Sequence, residues 1–311
     1  MKLSRVAADY VAHKQSMGMR FNTEARTLKS FCRAMGETSL RQVSPSRVHA
    51  YLAGTGPVTS LWERKHSVLD GFYRYAIVRG YVSASPLPRT IPKPLQTFVP
   101  YIYSHEELRR LLRAVVTYDN PRGTIDPNTF RLLLLLLYGA GLRISEALAL
   151  TLADVDLTSG VLQIRESKFY KTRLVPIGAD LIRLLTPYAI GRRNNPAPDS
   201  PFFVSRHGDP VTRRNAENAF CRLRVRAKVM RDDGNPRHQP RLHDLPATFA
   251  VHRLVTWYRS GGDLQRLLPQ LSTYLGHINI QGTQRYLTLT PELLREASDR
   301  FERYAMGNPH E

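Results

Sequence analysis

Apolar residues in the first 83 positions recur three and four apart. LSRVAADYVAHKQSMG puts Val6, Tyr10 and Val11 on one face, and Thr23 to Met35 repeats the pattern with Leu28, Phe31 and Cys32. SPSRVHAYLAG opens with Ser44 as a cap and Pro45 at a first helical position, and it stops at Gly54. SLWERKHSVLDGFYRYAIVRG predicts a fourth helix ending at Gly80. Two-residue alternation is scarce here, so residues 1–83 predict a small all-helical domain.

The pattern then breaks. SASPLPRTIPKPLQTFVP, residues 83 to 100, holds five prolines in 18 residues. Proline at that density blocks helix and sheet alike and stiffens an extended chain, so residues 84–103 are expected to link two domains. A second domain, 104–311, opens at SHEELRRLLRAV, where Ser104 and Glu107 are spaced as a capping box. A buried helix is expected from Asn128 to Tyr138, then a GAG turn, then a helix over SEALALTL. VLQIRE (161–166) and RLVPIG (173–178) alternate as two strands joined by a turn holding SKFYKT. ADLIRLLTPYAI reads as a helix, residues 193–215 as loops around a short strand FFV, and the remainder as helices. The expected fold class is mainly α with a small antiparallel sheet in the second domain.

Charge changes this picture. The 311 residues carry 45 Lys and Arg against 26 Asp and Glu, a net +19 with pI near 10.3. Residues 1–92 hold +9 and the remainder +10, so both domains present positive surface. Such a surplus repels itself unless a polyanion is near, which points to nucleic acid. Cys32 and Cys221 stand far apart with no metal-ligand spacing, which fits a reducing cytoplasm and no zinc site. MKLSRVAADYVAHK has no apolar signal core, and the longest apolar run, LLLLLLYGAGL from Leu132, is too short to span a bilayer.

Four short segments carry candidate chemistry. GAGLRISEAL places Arg143 at a helix start behind a glycine turn, where a guanidinium and free amides suit a phosphate, with Glu146 spaced to pair with it. RESKFYKTRLVPI places Lys168, and Lys171 beside it, in the turn between two strands; a flexible lysine there suits proton delivery. RLHDLPATFAVH supplies His243, and YLGHINIQGTQRYL supplies His277 with Tyr286 nine residues on. Each segment alone has a bland explanation as surface or core. Their order and spacing together do not.

Together they resemble the tyrosine recombinases, the phage-integrase family. The resemblance rests on GLRISEALAL, on LGH followed nine positions later by Tyr, and on the partial match HDL with TFAVH, and it spans nearly the whole chain. It implies that residues 1–83 form a core-binding domain that contacts DNA. It implies Tyr286 as a nucleophile that forms a 3′-phosphotyrosine link, Arg143 as a phosphate clamp and Lys168 or Lys171 as the proton donor to the leaving oxygen. His243 is then a proton-handling group, His277 a hydrogen-bond partner of the phosphate, and Glu146 a support. Arg241, Arg253, Lys171 and Arg285 become candidate DNA contacts. The expected partner is double-stranded DNA with inverted-repeat core sites, bound by a tetramer. The helix over 291–305 is positioned to pack on a neighbouring protomer or on its own domain. No cofactor is expected, because the covalent link conserves the phosphodiester energy, and no metal, because the sequence shows no carboxylate cluster that would hold one.

One position departs. The family expects a second arginine at 246, and this chain has Pro246, followed by Ala247 where a further histidine is frequent. Asp244 is spaced to cap the helix, which would put Pro246 in a first turn that tolerates it. The cost then falls on chemistry: one positioned donor lost from such a site slows it roughly 10²–10³-fold. Arg241 has the freer reach to compensate, whereas Arg253 lies two helical turns away. Three readings follow: an impaired strand-exchange enzyme, a non-cutting DNA-binding protein on the same scaffold, and an RNA-binding protein supported by charge alone.

Overall fold

The computed structural model describes residues 1–56, 58–92, 99–117, 123–165, 172–192, 197–231, 239–288, 295, 298, 299 and 302. Its contacts divide the chain into two compact units, Met1–Phe98 and Val99–Glu311.

The first unit is helical. Helices α1 (Leu3–Ser16), α2 (Asn22–Met35), α3 (Pro45–Ala53) and α4 (Ser60–Val78) bury one face each. Leu3, Val6, Tyr10, Leu28, Phe31, Leu69, Phe72 and Tyr73 make the core, and Val11 and Cys32 pack at its margin. The start of α3 is set by Ser44, whose side chain accepts from the Arg47 amide. Arg and Lys side chains occupy much of the solvent face, consistent with the local charge surplus.

In the second unit, α5 (His105–Val116) starts at the Ser104–Glu107 capping box, with both reciprocal bonds present. The leucine run forms α6 (Pro127–Gly139), and Leu132, Leu133, Leu134, Leu136 and Leu137 are all buried. Helix α7 is short, Ile144–Ala149, and Arg143 is its capping residue. Three antiparallel strands follow in the order β1 (Val155–Asp156), β2 (Val161–Ile164), β3 (Arg173–Pro176). The β2–β3 register pairs Ile164 with Arg173 and Leu162 with Val175. Strand β1 was not legible as a strand, being only two residues long. The FFV triplet forms no strand. Single bridges form instead, Thr151 with Pro201 just before the triplet and its own Val204 with Pro210, while Phe202 and Phe203 fill the core.

Helices α8 (Ala179–Arg192) and α9 (Arg213–Arg226) flank this core. Helices α10 (Leu245–Arg259), α11 (Leu264–Tyr274) and α12 (Gln281–Thr288) then build a second apolar cluster. In that cluster Phe249, Leu254, Leu268, Leu271 and Leu275 are buried, with Tyr286 and Leu287 packed against it. No helix among the described residues is long and apolar enough to cross a membrane.

Candidate active site

The GAG turn is forced by its surroundings. Gly141 lies at φ +62°, and a Cβ there would come within 2.7 Å of the Phe249 ring and 2.8 Å of Leu275. Only glycine lets the chain turn this tightly against α10 and α11. The turn delivers Arg143 to the start of α7. Its amide donates to Glu146 Oε2 at 3.0 Å, and its Nη1 donates to Glu146 Oε1 at 2.7 Å. The other end of the guanidinium reaches the Gly276 carbonyl at 3.4 Å.

Glu146 serves two guanidiniums. Arg173, on β3, donates from Nη1 and Nη2 to the two carboxylate oxygens at 3.1 and 2.9 Å, and from Nε to the Tyr274 carbonyl at 3.0 Å. Its side chain is 11% exposed and that of Glu146 only 6%. Burial pushes the Glu146 carboxyl up, but the bonds and charge of Arg173, then the charge of Arg143, outweigh it and hold the group below the usual carboxylate range. Sequence reasoning missed Arg173. Nothing local marks it, because its partners lie 27 and 101 residues away.

Helix α11 ends in a Schellman turn: the Gly276 amide donates to Thr273 and the His277 amide to Ser272. Gly276 sits at φ +64°, and a Cβ on it would lie 2.7 Å from Arg173 Nη1. His277 follows directly. Its Nδ1 is 2.7 Å from the hydroxyl of Thr283, and its ring centroid is 6.1 Å from that of Tyr286. Burial, then the charges of Arg143 and Arg173, bring its pKa down to about 4, against the opposing pull of Glu146. The Tyr286 phenol is raised by burial, while Arg143 and Arg285 favour its anion.

His243 lies in a 3₁₀ turn, Leu242–Asp244, that runs straight into α10. The residue is exposed, yet partial burial, then the positive charges of Arg241, Arg213 and Arg143, lower its pKa, with Asp244 acting the other way. Asp244 precedes α10 but does not cap it with its side chain. Its backbone is already helical at φ −87°, and its buried carboxylate instead accepts from the Arg241 amide and from Arg241 Nη2, both at 2.9 Å. Arg241 is therefore held by Asp244, not free to reach. Pro246 falls in the first turn of α10, half-buried. Arg253 stacks over the Phe249 ring at 5.6 Å. Lys168 and Lys171 lie outside the described residues, as does most of 291–305.

The Arg143 guanidinium thus touches Glu146 and the carbonyl of Gly276, the residue before His277, and its charge is felt by His243, His277 and Tyr286. Residues 102–292 match the model of the phage integrase family. The chain belongs to the phage integrase family. Within it, the chain is 33% identical over 301 residues to a Sinorhizobium fredii protein named as the integrase/recombinase y4rB, covering 95% of both chains. It is 30% identical over 291 residues to tyrosine recombinase XerC of Chlorobaculum parvum, covering 85% of this chain and 82% of XerC. The fold is also that of the Tn1549 transposon integrase solved with transposon right-end DNA, with TM-score 0.73 and 16% identity over 98% of this chain and all of that one. No group of three or more His, Cys, Asp or Glu residues able to hold a metal ion occurs among the described residues.

Proposed function

We propose that this chain breaks and rejoins duplex DNA at specific sites, with Tyr286 as the nucleophile. The phenolic oxygen attacks the scissile phosphorus, forming the tyrosyl–phosphorus bond as the bond to the 5′ oxygen breaks. The phenolic proton passes to His243, which its surroundings keep neutral near pH 7, and the 5′ oxygen takes a proton from Lys168 or Lys171. One phosphate ester replaces another, so the step reverses without ATP. Charge builds on the non-bridging oxygens during attack, and Arg143 with His277 supplies donors to absorb it.

The observation that carries this reading is Arg143, anchored by Glu146 and the Gly276 carbonyl next to His277, with the His277 ring 6.1 Å from that of Tyr286. Residues 1–83 would grip DNA as a core-binding domain, and exchange of two duplexes would gather four protomers on inverted-repeat sites in the cytoplasm. The segment 291–305 is the candidate contact between them, with Leu293, Leu294, Ala297 and Phe301 at helical spacing.

Pro246 favours a second reading, a DNA-binding protein that does not cut, because no cation stands at that position. A nicked suicide duplex separates the two. A covalent adduct on a denaturing gel that disappears in Tyr286→Phe supports cleavage. No adduct from the chain or from Pro246→Arg, with duplex binding intact, leaves the second reading standing.

A further inference from the structure

We propose that Thr283 is a positioning residue that fixes His277 in the tautomer carrying its proton on Nε2. The inference rests on the reading of His277 as a phosphate partner.

Thr283 is fully buried in the first turn of α12, with its amide bonded to the Ile280 carbonyl at 2.9 Å. Its hydroxyl is 2.7 Å from His277 Nδ1. The same edge of the ring lies against Gly282, where a Cβ would sit 3.4 Å from both Cγ and Nδ1. The Nδ1 edge is therefore pressed into the start of α12, and Nε2 is on the opposite edge of the ring. Burial, then the charges of Arg143 and Arg173, disfavours an imidazolium here, so the ring is neutral and owns a single N–H.

That N–H has two possible homes. On Nδ1 it would be spent on Thr283, and Nε2 would offer an anionic phosphate oxygen only a lone pair. On Nε2 it can be donated outward, and Nδ1 then accepts the Thr283 hydroxyl proton. Only the second arrangement binds an anion, and the hydrogen bond made at one ring nitrogen decides which nitrogen holds the proton. Removing the hydroxyl frees the ring to change tautomer or turn about its Cβ–Cγ bond.

The test compares Thr283→Val, which keeps the shape and loses the donor, with Thr283→Ser, which keeps the donor. In single-turnover cleavage of a suicide duplex, run also in a Pro246→Arg background, Ser should stay within about threefold and Val should fall roughly 10- to 100-fold. Duplex affinity should stay close to that of the starting chain in both, because it is spread over many phosphate contacts. Nitrogen-15 NMR of the full chain, with the His277 signal assigned by its loss in His277→Gln, should show a protonated Nε2 and bare Nδ1 in the starting chain and in Ser. In Val the two nitrogens should average. A proton on Nδ1 in the starting chain overturns the proposal, as does full cleavage by Val or a Ser variant as slow as Val. The NMR result does not depend on cleavage, so absence of any adduct would sink the strand-cutting function and leave the tautomer still decided.

Discussion

Arg173→Ala tests the buried junction around Glu146. The substitution removes two bonds to the carboxylate and one to the Tyr274 carbonyl, and it leaves Glu146 with Arg143 as its remaining cation. Removing one partner of a buried ion pair costs about 3–5 kcal/mol. The surviving Arg143 contact at 2.7 Å places the loss at the lower end, about 3 kcal/mol, and the orphaned carbonyl adds about 1. For a unit of this size each kcal/mol lowers Tm by about 2–4 °C, so the total of about 4 kcal/mol predicts a fall of roughly 8–16 °C. The two tryptophans, Trp62 and Trp257, lie one in each unit, so fluorescence of a Trp62→Phe background reports the second unit alone during denaturant unfolding. Glu146 is held ionised in the folded state, so its contribution is complete above the unfolded carboxylate pKa and fades as pH falls through the folded one. The gap between the two proteins should narrow in acid. Adding Glu146→Gln to Arg173→Ala should recover at least about 1 kcal/mol, because it removes the buried charge left short of a partner. A loss below about 1 kcal/mol from Arg173→Ala, or no recovery in the double variant, would falsify the claim that Arg173 neutralises a buried carboxylate.

Two further outcomes follow from the site. Pro246→Arg should raise the rate of adduct formation roughly 10²–10³-fold on ordinary DNA and by less on a scissile methylphosphonate, which carries one charge fewer; no gain on the ordinary duplex would show that the missing cation is not what limits the site. His277, with a folded pKa of about 4, takes up its proton more readily once unfolded, so its stabilisation is complete above about 6.5 and is lost as pH falls from there to about 4. Denaturant titrations at pH 7 and pH 5 should differ by about 2 kcal/mol from this group, and His277→Gln should remove that difference.

The parts legible in the sequence are those whose signal is local. The leucine run from Leu132, too short to span a bilayer, reads as a buried helix, Ser104 and Glu107 announce a capping box, and Pro45 behind Ser44 marks a helix start. The spacing of Arg143 and Glu146 fits one turn at a helix N-terminus, and the structure places them in contact. Arg173 was invisible for the opposite reason. On a short strand beside Lys171 and Thr172 it reads as one more solvent-facing cation, and only the fold brings Glu146 and Tyr274 to it. Asp244 misled in a similar way. Asp before an apolar run suggests a side-chain cap, but the chain enters α10 through a 3₁₀ turn and spends the carboxylate on Arg241. Thr283 looked like an ordinary helix residue until its hydroxyl met a ring six positions earlier.

The junction at Glu146 also sets when the chain becomes dangerous. Arg143 is completed by a carbonyl 133 residues downstream, and Arg173 by one 101 residues downstream, so no short stretch of the chain contains the assembled clamp. Contacts of such sequence separation form late, after the loop-closure entropy between them has been met. On the role proposed for Tyr286, a half-folded molecule would carry the nucleophile without its assembled charges, and the topology would act as a safety catch on strand cleavage until the second unit has folded.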